Sequence, residues 1–280
     1  MTSRPLGWAV AASIASLATG FASPLGAQAV SVSPMSLFLD QATRSGRLTL
    51  ANDGDRPAEV EIGFAFGYAR SDSLGNISVP LTEAAAPGEP TLIPYLRAFP
   101  RQLRLAPGQR GMVRILVTAP PDLEDGEYWA RVLVSASGAE APVELRSDRV
   151  NATLNIRSVV AVAANYRHGR VGTSLEVEGA SAKATAGSVR LLLDLGRDGN
   201  AAWLGRVRAR VVDAEGRVMG SSAEDVAVYR PLRWGVTIPL DRAPEGGPVA
   251  VRFELSTERP DGQPGTLLEA PAVRGSVPVG

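Results

Sequence analysis

The chain has 280 residues, sets 29 Lys and Arg against 29 Asp and Glu, and contains no cysteine and a single histidine, His168. The missing thiols exclude disulfides, zinc fingers, iron–sulfur clusters and a cysteine nucleophile, the lone imidazole excludes multi-histidine metal sites, and zero formal charge gives no field that would favour nucleic acid. With 29 Gly and 21 Pro the chain is too punctuated for many long helices, and short strands joined by turns are expected.

Residues 1–29 read as a secretory signal. Arg4 supplies the positive start, Trp8 to Phe21 is an apolar run, and Ala27-Gln28-Ala29 is a small-residue cleavage pattern. The run falls short of the ~18–20 apolar residues that a membrane span needs. No later stretch is apolar enough to cross a bilayer, so an exported chain beginning at Val30, with no integral membrane segment, is expected.

From Val30 the sequence alternates in short runs. Val32 to Leu39 forms a first strand, and Leu48-Thr49-Leu50 a second that stops at the turn cluster Asn52-Asp53-Gly54-Asp55. Val60, Ile62, Phe64 and Phe66 recur at period two, the mark of a half-buried strand, with Glu59 and Glu61 on its solvent face. Residues 69–91, rich in Ser, Asp, Gly, Pro and Ala, read as a long loop. Strands follow at Leu103-Arg104-Leu105, Met112 to Val117 and Tyr128 to Val134, and an unusually long one at Val150 to Tyr166. About seven strands separated by turn signals predict an immunoglobulin-like sandwich over residues 30–167.

After His168-Gly169-Arg170 the theme repeats over residues 168–280, with strands at Val189–Leu195, Ala202–Val212, Val226–Tyr229, Trp234–Leu240 and Val249–Leu255. The fold class is therefore all-β: two tandem immunoglobulin-like β-sandwich domains after a signal peptide. Asp194 to Asn200 has the composition of a calcium loop without its ligand spacing and reads as a turn. Trp203, Trp234 and Tyr229 either line a binding surface or, as is more common for aromatics, fill the core. No nucleophile motif of the G-x-S-x-G type occurs, and neither an enzyme, a metal nor a cofactor is expected.

The stretch Pro100 to Ile115, with its Ala106-Pro107-Gly108-Gln109 turn and Arg114-Ile115 strand, resembles the periplasmic pilus-assembly chaperones of the PapD-like family. Asp125-Gly126-Glu127-Tyr128-Trp129 is similar to the start of that family's sixth strand, and Asn165-Tyr166-Arg167 to the end of its seventh. Val32-Ser33-Pro34 and Leu48 to Asn52 fit its first two strands. The resemblance covers residues 30–167 well and residues 168–280 by domain order only.

The resemblance implies a two-sandwich periplasmic chaperone that binds pilin-type subunits and passes them to an outer-membrane usher. Its seventh strand fills the groove of a subunit lacking one strand. Val150, Ala152, Leu154 and Ile156 share one face of the last predicted strand, since side chains two apart point the same way, and are the candidate donor residues. Arg167 and Glu127 match a family pair and are expected as an ion pair at the domain junction. The family also holds the subunit's terminal carboxylate with a basic pair, on the first and seventh strands. Here those positions carry Met35 or Ser36, and Ala163 or Ala161. Arg157, on the predicted face of Ala163 and Arg167, is either a displaced anchor or a solvated or core-edge arginine. The missing pair leaves open a second reading, a secreted immunoglobulin-like structural or adhesive protein not dedicated to pilins.

Overall fold

The structure, a computed structural model, describes residues 30–138, 143–146, 151–154, 157–241, 249–259 and 266–280. The predicted signal segment lies outside the described residues. Strands of the first half are β1 (Val30–Ser33), β2 (Ser36–Asp40), β3 (Ser45–Asn52), β4 (Ala58–Ala65), β5 (Arg70–Ser71), β6 (Ile77–Ser78), β7 (Leu96–Phe99), β8 (Gln102–Leu105), β9 (Arg110–Val117), β10 (Gly126–Ser137), β11 (Val143–Arg146), β12 (Asn151–Leu154) and β13 (Arg157–His168). Those of the second are β14 (Thr173–Thr185), β15 (Ser188–Gly199), β16 (Trp203–Val212), β17 (Val218–Val228), β18 (Leu232–Pro239), β19 (Ala250–Ser256) and β20 (Val273–Pro278).

In the first half, a sheet ordered β1-β3-β9-β7 packs on one ordered β2-β13-β10-β4-β8. The alternation read from the sequence explains the packing. Ala58, Val60 and Ile62 of β4, Val113, Ile115 and Val117 of β9 and Val132 and Val134 of β10 are buried in one core, while Glu59, Glu61, Met112 and Arg114 face solvent. The Asn52 turn is fixed by its own side chain: the amide donates to the carbonyls of Arg56 (2.7 Å) and Leu105 (3.0 Å) and accepts from the Gly54 N–H (3.1 Å).

Three stretches differ from the sequence reading. The first predicted strand divides at Pro34-Met35. Pro34 has no N–H for a ladder, and the chain changes sheets there: β1 pairs antiparallel with β3, and β2 pairs parallel with β13. The long predicted strand from Val150 to Tyr166 is two strands in different sheets. Ser137 opposes Arg157 and Val143 opposes Leu154, a change of register that separates the β10–β13 ladder from a two-stranded β11–β12 ribbon. The predicted loop at 69–91 contains the β5–β6 hairpin.

The second half packs a sheet ordered β14-β15-β18 on one ordered β17-β16-β19-β20 around Leu191, Leu193, Val207, Val236 and Val251. Trp203 is fully buried in this core and Trp234 packs against it. Asp194 to Gly199 is not the expected turn but continues β15, because Leu195 to Gly199 pair with Val177 to Thr173 of β14. Among the described residues no helix is long and apolar enough to cross a membrane.

Ile115 is completely buried and Met112, three residues earlier, is half exposed. Ile115→Ala is expected to cost about 2–5 kcal/mol, whereas Met112→Ala is expected to stay within about 0.5 kcal/mol of wild type. Urea unfolding of both variants checks the assignment of the two faces of β9.

Candidate functional site

β10 and β13 form the longest ladder of the first sandwich, running from Gly126↔His168 to Ser137↔Arg157. The far side of β13 is covered only in part. β2 pairs with Ala163 to Arg167, and among the described residues nothing pairs with that side from Arg157 to Val162. The Ala163 N–H donates to the Met35 carbonyl at 3.1 Å, so it points toward this side. By strand alternation the N–H and C=O of Ala161, Val159 and Arg157 point the same way. Val159, at 51% exposure, lies on this open stretch. Among the described residues β12 pairs with β11 alone.

Of the candidate donor residues, Ala152 and Leu154 lie in β12, opposite Leu145 and Val143. Val150 and Ile156 lie outside the described residues.

At the opposite end of the ladder, Glu127 and Arg167 are register partners, and Arg167 Nε donates to Glu127 Oε2 at 2.9 Å. The Glu127 side chain is fully buried and that of Arg167 is 13% exposed. Glu127 Oε1 also accepts from the Ala202 N–H of the second sandwich at 3.3 Å, so the carboxylate joins the two halves. The Arg167 guanidinium lies over the Phe38 ring, 5.5 Å from its centre. Asn200 adds a second link, its amide donating to the carbonyls of Asp125 (3.0 Å) and Arg170 (2.9 Å). Burial raises the Glu127 carboxyl above its ordinary value, against the opposing pull of the Arg167 guanidinium and the Ala202 N–H.

Between these features the two sandwiches meet on an aromatic cluster of Phe66, Tyr68, Trp129 and Tyr229, with Ala202 and Leu204. Trp129 and Tyr229 meet edge to face at 5.0 Å. Beside the cluster is a cleft of about 210 Å³ lined by Met35, Ser36, Ala163, Asn165, Arg131 and Tyr229, among others. Ser36 and Ala163 are register partners, so the two positions at which the resemblance calls for a basic pair do lie together in this cleft.

The cleft nevertheless holds a guanidinium. Arg131, the register partner of Ala163 on β10, enters from the neighbouring strand. Its Nε donates to the Gly67 carbonyl at 3.0 Å, and its guanidinium sits 5.8 Å from the Tyr229 ring centre. Asn165, almost wholly buried, accepts from the Tyr229 hydroxyl at 3.4 Å, while its amide nitrogen has no partner among the described residues. Arg259 also lines the cleft and lies 3.6 Å from the Asp225 carboxylate. Arg157, by contrast, is outside the cleft. It is bonded to Glu61 Oε2 at 3.0 Å, with both side chains more than half exposed, and lies about 20 Å along the strand from Ala163 at roughly 3.3 Å per residue.

Sequence reasoning paired Glu127 with Arg167 through the resemblance and missed Arg131, Asn165 and Asn200. Their roles depend on register and on contacts between the halves, neither of which leaves a local pattern.

No family model matches the chain, and no curated protein matches it. Solved structures do match. A chain of the chaperone–tip adhesin complex of CFA/I fimbriae biogenesis is 10% identical, with 89% of this chain and 98% of that chain covered at a TM-score of 0.45. The CsuC–CsuE chaperone–tip adhesion subunit pre-assembly complex from the archaic chaperone-usher Csu pili of Acinetobacter baumannii is matched at 12% identity, 90% and 99% coverage and a TM-score of 0.43. The Salmonella enterica SafA pilin–SafB chaperone complex is matched at 14% identity, 88% and 95% coverage and a TM-score of 0.40.

Two consequences follow for the junction. Arg167→Ala strands a buried carboxylate and is expected to cost about 3–5 kcal/mol in urea unfolding. Because burial raises the folded carboxyl above its unfolded value, the native state holds the Glu127 proton more tightly. Glu127 therefore contributes most below the ordinary carboxyl value, and its contribution falls as pH rises toward the raised one. The stability of wild type relative to Glu127→Gln should decline with pH across that window, and an increase would contradict the assignment.

Proposed function

We propose that this chain is a periplasmic chaperone of pilus-type assembly, binding subunits by strand donation and without catalysis, and passing them to an outer-membrane usher. The observation that carries the reading is the open side of β13 from Arg157 to Val162, at the end of a ladder whose other face is packed into a sandwich core. Such an edge offers main-chain donors and acceptors at fixed spacing to the sheet of a partner, while alternate side chains supply pocket contacts. Val150, Ala152, Leu154 and Ile156 are the donor residues of this reading. Each Val, Leu or Ile that becomes fully buried contributes roughly 1.5–3 kcal/mol before ordering costs.

The cleft gives the added strand a direction. β2 occupies the edge from Ala163 onward, so a strand laid along 157–162 must stop at the cleft. There it meets the Arg131 guanidinium and the Asn165 amide, which no described residue engages. These donors suit a terminal carboxylate and oppose a terminal ammonium, so the added strand runs parallel to β13 with its C-terminus at the cleft. In this reading Arg131, one strand away from the positions expected from the resemblance, serves as the carboxylate anchor in place of Arg157.

Leu154→Arg is expected to abolish capture of a small β-rich subunit from periplasm while the monomer unfolds at the wild-type urea concentration. Val159→Pro, which removes an outward N–H without touching the β10 ladder, is expected to weaken capture as well. Arg131→Ala should lower affinity for the captured subunit by about 30-fold or more, as loss of one partner of a hydrogen-bonded charge pair does. Normal capture by the Leu154 and Val159 variants would remove strand donation and favour the structural or adhesive reading.

A further inference from the structure

The Arg131 guanidinium is held by a carbonyl, that of Gly67, and Gly67 begins an excursion that ends on the other sandwich. The excursion leaves and returns at one point. Phe66 and Thr82 exchange both backbone hydrogen bonds, at 2.8 and 2.9 Å, closing residues 67–81 into a loop. A Cβ on Gly67 would lie 2.5 Å from the Pro80 carbonyl oxygen, so the root of the loop closes only around a glycine. The tip is shaped by Asp72, whose Oδ1 accepts the N–H groups of Leu74 and Asn76 at 2.9 Å each and whose Oδ2 accepts the Asn76 amide at 2.8 Å.

The tip is fastened to β15 and β18 rather than to its own sandwich. The Arg233 N–H donates to Ser71 Oγ at 2.8 Å and the Gly235 N–H to the Gly75 carbonyl at 3.1 Å. Arg190 Nη2 reaches the Leu74 carbonyl at 3.2 Å, and Arg233 Nη1 reaches that of Ser73 at 3.2 Å. Arg233 is itself aimed by two hydrogen bonds to Asp194, at 2.7 and 3.0 Å. Gly75 has φ +75°, and a Cβ there would lie 2.7 Å from the Gly235 nitrogen, so the two backbones meet in near contact. Ala69, in the ascending limb, is buried in the core of the second sandwich.

We propose that residues 67–81 are a strap that couples the second sandwich to the anchor: Arg131 is aimed into the cleft only while the strap is fastened to β15 and β18. Arg190 and Arg233 are then positioning residues for carboxylate recognition, although neither lines the cleft. This rests on the carboxylate reading of the cleft given above. It assigns the second sandwich a part in binding, which is to set the direction of a guanidinium carried by the first.

The test uses the full chain and two readouts. Hydrogen exchange of the 70–80 and 232–238 segments reports whether the strap is fastened. Affinity for an alternating Val/Thr nonapeptide, N-terminally labelled and ending either in a free carboxylate or in an amide, reports the anchor. Wild type should prefer the acid by about tenfold, the effect of ~1.4 kcal/mol. Arg190→Ala with Arg233→Ala should speed exchange in both segments and bring the acid-to-amide ratio close to one, leaving affinity for the amide unchanged. Gly75→Val, which forces a β-branched residue into a left-handed turn, should do the same without removing a charge. Arg131→Ala should lose the ratio with exchange at 70–80 unaltered. Faster exchange with the tenfold preference intact, or no change in exchange in either strap variant, would overturn the coupling alone. A wild-type chain that binds both peptides equally, or neither, would overturn the carboxylate reading and the coupling with it.

Discussion

The structure depends on the register of one ladder, β10 against β13. On β10 the even positions Ala130, Val132 and Val134 enter the core, and on β13 Val162, Ala164 and Tyr166 do the same. Burying such side chains is worth roughly 1.5–3 kcal/mol for each large one, and a slip by one residue would turn all of them to the other face. The core thus fixes which odd residues meet. Glu127 is set opposite Arg167, Trp129 opposite Asn165 and Arg131 opposite Ala163, in that order along one face. The ion pair, the aromatic floor and the guanidinium of the cleft are consequences of hydrophobic alternation on the reverse side of the same strands.

The second sandwich completes that face. Without it Glu127 would lose the Ala202 N–H and Trp129 would lose Tyr229, both contributed from beyond His168. A carboxylate can be buried here because its two oxygens find separate donors, a guanidinium on its own sandwich and a main-chain N–H on the other. The junction is therefore specified by polar groups that satisfy one another only when both halves are present, with the aromatic cluster excluding water around them.

What the sequence shows and what it hides divide along the same line. Strand β4 is legible because Val60 and Ile62 alternate with Glu59 and Glu61, and burial follows that alternation. β14 leaves no such mark. Its Gly, Ala and Ser carry little apolar signal, most of its length is exposed, and a register shift between Val177 and Gly179 breaks its period. The division of the Val150–Tyr166 stretch was also hidden, since it comes from a register change against a distant strand. Glu127 and Arg167 were paired only through resemblance. Arg131 is invisible because its place beside Ala163 is set by strand pairing, and the 69–91 segment reads as a loop because its hairpin is only two pairs long and the bonds that fasten its tip come from Arg190, Arg233 and Gly235, far along the chain.

Open strand edges are hazards that proteins close or blunt, and this chain treats its edges unequally. In the second sandwich, β14 is met by the last residues of the chain: Ala182 bridges Val279, and the N–H groups of Gly280 and Ala184 exchange hydrogen bonds with the carbonyls of Ala182 and Gly280. In the first sandwich β2 closes β13 from Ala163 onward and stops. The stretch before it carries neither proline nor lysine, and Arg157, the charge at its start, is drawn across to Glu61. Covering it would have required only that the first strand continue a few residues along β13. Instead that strand passes to the other sheet at Pro34, and the same break that leaves the edge open places Met35 and Ser36 at the mouth of the cleft. The open edge and the cleft at its end thus share one break in the first strand.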